Sequence, residues 1–160
     1  MIFASVGTQL AFPRMIGMLR ELIAVHDYRF IAQTNEPEEH VQLVGRLDGR
    51  TKMAPDEYEA VTDECSVMIS HAGIGSIISA SNHGKPIIMV PRRHALGEHR
   101  NDHQMETARR FEGRPGIYIA ESAEEISALL SSSLVPCGGA SVSTSLVQGL
   151  NDFIKGSSRG

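Results

Sequence analysis

Ser70-His71-Ala72-Gly73-Ile74-Gly75-Ser76 follows a short apolar run, Cys65 to Ile69, and opens a segment whose apolar residues return at helical spacing. The stretch reads as strand, glycine-rich turn and helix N-terminus. At such a junction main-chain N–H groups and the helix dipole together favour an anion. Gly73 and Gly75 carry no Cβ, which leaves room for a phosphate to approach the backbone. A tight glycine turn by itself is common in α/β proteins. A second polar cluster, Gly97-Glu98-His99-Arg100-Asn101-Asp102-His103-Gln104, follows Gly84-Lys85-Pro86 and one more strand. The two together predict adjacent loops converging on one phosphorylated ligand.

Outward from this junction, strands and helices alternate. Ile2 to Val6 reads as a buried strand ending at Gly7-Thr8, and Pro13 opens a helix with Met15, Ile16, Leu19, Leu22 and Ile23 on one face. Further strands are predicted over Tyr28 to Ala32, Val41 to Leu47, Ser66 to Ile69, Ile87 to Val90 and Gly116 to Ala120. Helices are predicted from Pro55 to Thr62, Ile74 to His83 and Glu98 to Phe111, with another to Leu130 behind the capping-box-like Ser122-Ala123-Glu124-Glu125. Near-continuous apolar strands alternating with helices imply an α/β, Rossmann-like parallel sheet with helices on both faces. Ligands of such sheets sit beyond the carboxyl ends of the strands, where Gly7-Thr8, Ser70 to Ser76 and Pro91 to Gln104 fall. Residues 1–130 form this ligand-binding domain, and 131–141 read as a small-residue linker. Over 142–155, Val142, Leu146, Leu150, Phe153 and Ile154 recur at helical spacing. That stripe is either a terminal helix packed on its own sheet or a surface that docks on a second protein.

The 160 residues suit one domain with a single well-formed core. A net charge of −4, with Arg92-Arg93-His94 and Arg109-Arg110 as local pairs and no interleaved aromatics, argues against nucleic acid as a partner. Cys65 and Cys137 lie in no Cys-x-x-Cys spacing and read as reduced thiols, Cys65 as a core residue. No segment approaches the roughly 18 consecutive apolar residues of a membrane span. Met1 leads into an apolar strand without a basic stretch, so the expectation is a cytoplasmic protein.

Several chemistries are weighed at the two clusters. His99 and His103 share a helical spacing, but no third ligand stands at a recognised distance, so no metal site is expected. Gly-Ile-Gly-Ser-Ile lacks the Gly-x-Ser-x-Gly elbow, so Ser76 is not a hydrolase nucleophile. The turn is not a dinucleotide fingerprint either, because Gly-x-Gly-x-x-Gly is incomplete. His71 reads as a structural histidine that fixes the turn or as a phosphate or nucleotide contact. His99 reads as a ligand contact, an orienter of Asp102 or a solvated loop residue.

Val6-Gly7-Thr8, Ser-His-Ala-Gly-x-Gly-Ser, Gly-Lys-Pro and Gly-Glu-His-x-x-Asp-His-Gln resemble the C-terminal, donor-binding half of glycosyltransferase family 28, over Met1 to Phe111. The resemblance is nearest to its single-domain subunits, as in the two-part dolichol-linked GlcNAc transferase and bacterial exopolysaccharide glucuronosyltransferases and galactosyltransferases. It implies one half of a GT-B fold, a nucleotide-sugar donor such as a UDP-sugar, and inverting transfer with no obligatory metal or cofactor. It also implies a membrane-anchored partner subunit that binds a lipid-linked or polysaccharide-precursor acceptor, which would hold this chain at the inner face of the membrane. Self-association is left open. Carried over by position, the diphosphate loop falls on Gly73, Ile74, Gly75 and Ser76, with Gly7 and Thr8 as the opposite wall. Donor-sugar contacts fall on Asp102, His103 and Gln104, with His71 and His99 in support. The acid that the family places on the following helix to accept from ribose is replaced by Ser79. An ionised acceptor is stronger than a hydroxyl, so weakened ribose binding and a non-catalytic, nucleotide-binding regulatory subunit are both compatible with the residues. A general base must reach the acceptor hydroxyl, which comes from the other half of the cleft, so none is expected on this chain.

Overall fold

The computed structural model describes residues 1–36 and 46–138. Ile2, Phe3, Ala4 and Ser5 are all buried, the signature of a strand covered on both faces, and they form β1 (Ile2–Ser5) at the centre of a six-stranded parallel sheet. The other strands are β2 (Phe30–Gln33), β3 (Leu47–Arg50), β4 (Val67–His71), β5 (Ile87–Val90) and β6 (Ile117–Ile119). Their order is β3-β2-β1-β4-β5-β6, the doubly wound arrangement whose direction reverses between β1 and β4. The register sets Ser5 beside Gln33 on one side and beside Ser70 on the other, so the polar ends of three strands meet at one point of the carboxyl edge.

Side chains alternate between two cores. Ile2 and Ala4 face α1 (Pro13–Val25) and α5 (Ala123–Leu130), against Met15, Leu19, Leu22 and Ile126. Phe3, Met68, Ile87 and Met89 face the opposite layer, α2 (Pro55–Glu64), α3 (Ile74–Asn82) and α4 (His103–Phe111), through Val61, Ile77, Ala80 and Phe111. Pro13 and Pro55 each stand in a first helical turn, where the missing N–H costs no hydrogen bond. Ser122 caps α5 by accepting from Glu125 N–H at 3.2 Å. Cys65 and Cys137 are free thiols, both buried.

Three expectations change. The third strand is Leu47–Arg50 rather than Val41 to Leu47, and residues 41–45 lie outside the described residues. It is an edge strand on which only Leu47 is buried, with Arg50 paired to Asp48 and Glu57; a polar edge does not announce itself by hydrophobicity. The helix expected from Glu98 starts at His103, because Gly97 adopts φ +69 after a short 3₁₀ turn over His94–Leu96 and Glu98 is drawn into side-chain contacts. The first part of the expected linker is packed. Val135 N–H donates to the Tyr118 hydroxyl at 2.9 Å, Cys137 N–H to Lys85 O at 3.2 Å, and Cys137 enters the core. A Cβ on Gly116 would stand 2.3 Å from the Cys137 backbone, so this crossing requires glycine. The helix expected over 142–155 lies outside the described residues.

Candidate functional site

Where the strand order reverses, a cavity of about 640 Å³ opens beyond the carboxyl ends of β1 and β4. The β1–α1 loop contributes Gly7, Thr8, Gln9 and Leu10, the turn after β4 contributes Gly73, Ile74, Gly75 and Ser76, and the segment after β5 contributes Arg92, His99 and Gln104. His71 borders it as the last residue of β4. The two loops expected to converge therefore do so around one space. Asp102, His103 and Ser79 do not line it. Asp102 Oδ1 accepts from His94 N–H at 3.0 Å, and His103 is exposed and pairs with Glu106.

The two glycines of the turn have different physical roles. A Cβ on Gly73 would lie 2.3 Å from His71 Nε2, and one on Gly7, whose φ is +89, would lie 2.8 Å from His71 Cε1. The imidazole thus occupies the space that both residues leave. A Cβ on Gly75 would meet nothing within 4 Å, so Gly75 faces open volume. Burial, with the charges of Arg92 and His99, pushes the His71 pKa down to about 4, against a hydrogen bond to the Ser5 carbonyl. The ring is neutral at physiological pH.

Below the turn lies a floor of hydroxyls. Ser70 Oγ contacts Ser76 Oγ at 2.7 Å, donates to Ser5 O at 3.0 Å and lies 3.3 Å from His71 Nδ1. Tyr58, which packs edge-on against Phe3, borders the cavity from α2. Burial raises its pKa, opposed by hydrogen bonding to Ser5, Ser79 and Ser76. Ser79 accordingly belongs to the Tyr58 hydroxyl network rather than to the cavity wall.

The opposite side is built on arginines. Arg92, 2% exposed, donates from Nη2 to Val6 O at 2.9 Å and Leu10 O at 2.7 Å, and from Nη1 to Ala11 O at 2.6 Å and Glu98 O at 3.4 Å. Its guanidinium lies over the Phe12 ring at 4.3 Å, and burial lowers its pKa. Arg92 N–H donates to Gln104 Oε1 at 3.1 Å, which ties Gln104 to the same segment. Glu98 takes a fork from Arg14 at 2.6 and 2.9 Å and accepts from Arg93 N–H at 2.9 Å. Burial opposes ionisation of Glu98, but Arg14, the Arg93 N–H and the Arg92 charge outweigh it and hold its carboxyl below the usual range. A second cavity of about 570 Å³ lies on the far side of this wall and shares Gln9, Leu10 and His99 with the first.

Among the described residues, no carboxylate lines the first cavity, and Arg92 is its one formally charged side chain. The site therefore suits an anion. The sequence reading missed Arg92, Tyr58, Gln33, Met53 and Pro55. Arg92 follows a buried strand directly at the carboxyl edge, a signal that could have singled it out; Tyr58 looks like any aromatic on a helix. Among the described residues no three His, Cys, Asp or Glu side chains cluster as metal ligands would, and no helix is long and apolar enough to cross a membrane.

The same architecture occurs in solved glycosyltransferases. SnogD from Streptomyces nogalater superposes with a TM-score of 0.53 at 17% identity over 92% of this chain. MurG of Acinetobacter baumannii does so with a TM-score of 0.59 at 15% identity over 81%. The chain spans only 38% of SnogD and 40% of MurG. ALG13, solved by NMR in solution, gives a TM-score of 0.59 at 21% identity over 84% of this chain, and 87% of ALG13 is covered in return. At these identities the likeness is one of fold. No curated protein sequence matches the chain. The sequence itself carries the family: residues 6–133, from the end of β1 through α5 and including both cavity loops, match the glycosyltransferase family 28 C-terminal domain, and the chain belongs to that family.

Proposed function

We propose that this chain is the donor-binding half of a glycosyltransferase that moves a sugar from a nucleoside diphosphate, UDP in the simplest case, to an acceptor presented by a membrane-anchored partner subunit. The observation that carries the reading is the pairing of open volume at Gly75 with a carboxylate-free wall backed by Arg92. A diphosphate fits over the first turn of α3, where the Ile74 and Gly75 N–H groups precede any intrahelical acceptor. As the glycosidic bond breaks, negative charge grows on the departing diphosphate, so donors held in place there favour the transition state over the ground state. Gly7 and Thr8 close the opposite side, and Gln104 and His99 stand where the donor sugar would leave the diphosphate. Asp102 and His103 follow His99 on the same segment without lining the cavity. The reading requires no resident cofactor and puts the base that deprotonates the acceptor on the partner.

Gly75→Val tests the site. A Cβ at this position meets nothing within 4 Å, and Gly75 lines the cavity, so the added bulk is directed at ligand volume. Calorimetry is expected to show UDP binding to the parent protein and none to the variant; equal affinities refute the placement. A second reading, a nucleotide-binding subunit without turnover, is favoured by the absence of a carboxylate among the described lining residues. Transfer of sugar by the chain with its partner separates the two.

A further inference from the structure

We propose that Arg92 is a positioning residue for nucleotide binding, acting through the β1–α1 loop rather than on the ligand. This rests on the donor-binding reading above. Arg92 borders the cavity and is its one formal charge among the described lining residues, so a direct contact with an anion is the obvious expectation. The geometry points elsewhere. Both terminal nitrogens are already committed: Nη2 to Val6 O and Leu10 O, Nη1 to Ala11 O and Glu98 O. The carbonyls of Val6, Leu10 and Ala11 bracket the loop that walls the cavity, and Phe12 stacks under the guanidinium at the end of that loop. Glu98 O lies on the other wall, next to His99, so one side chain ties together the two loops whose spacing sets the width of the site. Leu10 and His99 are also two of the residues that separate the first cavity from the second. The loop, residues 6–12, has no regular structure; Gln33 Nε2 holds the Gly7 carbonyl at 3.3 Å, whereas the carbonyls of Val6, Leu10 and Ala11 are held by Arg92, and an oxygen released by Arg92 is free to turn into the cavity. A lysine keeps the charge but cannot reproduce this pattern, since an ammonium is a point donor and the carbonyls require a planar fork.

The test compares the parent with Arg92→Lys and Arg92→Ala, using UDP as probe. Amide hydrogen exchange without ligand is expected to show residues 7–12 losing protection in Arg92→Lys while β1 and β4 keep theirs, and calorimetry a fall in UDP affinity of about ten-fold, the scale of one or two hydrogen bonds. In Arg92→Ala, methylguanidinium is expected to restore part of the loop protection and of the affinity, and methylammonium neither. A loosened loop with parental affinity overturns the proposal, as does lost affinity with a protected loop. If both variants fail to fold, recovery with methylguanidinium supports it and no recovery overturns it. Failure of the parent to bind UDP overturns the donor-binding reading instead, and the exchange comparison still decides whether Arg92 holds the loop.

Discussion

His71 sits between two glycines that make room for it, and its burial has a consequence for acid stability. Its pKa is about 4 in the folded chain against about 6.5 in an unfolded one. Between those values the unfolded chain binds a proton that the native state does not. Stability from this group is therefore complete above about pH 6.5 and falls as pH drops toward 4. At 1.36 kcal/mol per unit, the loss by about pH 4.5 is roughly 2–3 kcal/mol. Urea denaturation of the parent and His71→Gln should show the stability gap between them narrowing by that amount from about pH 7.5 to about pH 4.5; a constant gap would mean that the imidazole is not desolvated. At this scale the sequence was half legible. The turn's glycines were recognisable as absences of Cβ, but Gly73 gives its space to a side chain two residues earlier and Gly75 to the cavity. Nothing in the spacing distinguishes them, because the difference is where the His71 rotamer points.

Elements were legible where hydrophobic periodicity carries them, as in β5, whose Ile87–Val90 run is buried throughout. They were illegible where polar contacts override pattern, and the segment from Pro91 to Asp102 is the clearest case. Its charged residues suit a solvated helix, but Glu98 is worth more as an internal acceptor. With side-chain exposures of 22% and 10%, the Arg14–Glu98 pair is shielded enough that losing one partner strands the other. Glu98→Gln is expected to lower stability by roughly 2–3 kcal/mol, and Arg14→Met by a similar amount. The double variant should cost clearly less than the sum, because the second change removes a group already deprived of its partner. Additive losses in chemical denaturation would show that the pair is not coupled. Because the Glu98 carboxyl is held below its usual range, its contribution is present above the unfolded pKa and adds to the loss of stability as pH falls through the folded one.

For the whole molecule, sheet topology matters most. Alternating strands and helices were enough to infer a parallel sheet; its strand order was not in the pattern, and it is the reversal between β1 and β4 that sets the cavity between the first and fourth strand ends. A doubly wound domain with one such cavity can hold a donor, yet a transfer also needs a second surface that positions the acceptor hydroxyl and a base within hydrogen-bond reach of it. Among the described residues no carboxylate borders this cavity, and its two histidines are His71, held neutral beneath the turn, and His99 on the wall shared with the second cavity. The purified chain should therefore bind UDP or a UDP-sugar and transfer nothing to a lipid-linked acceptor on its own. Adding a membrane-anchored acceptor-binding partner should restore transfer, and Gly75→Val should abolish it in the reconstituted pair while leaving the two subunits associated. Radiolabelled sugar incorporation into the lipid fraction reads the first effect and co-purification the second. Robust transfer by the chain alone would place the base within these residues and end the two-subunit account. A pair that transfers equally well with Gly75→Val would instead mean that the donor is held by the partner, leaving this cavity a regulatory site.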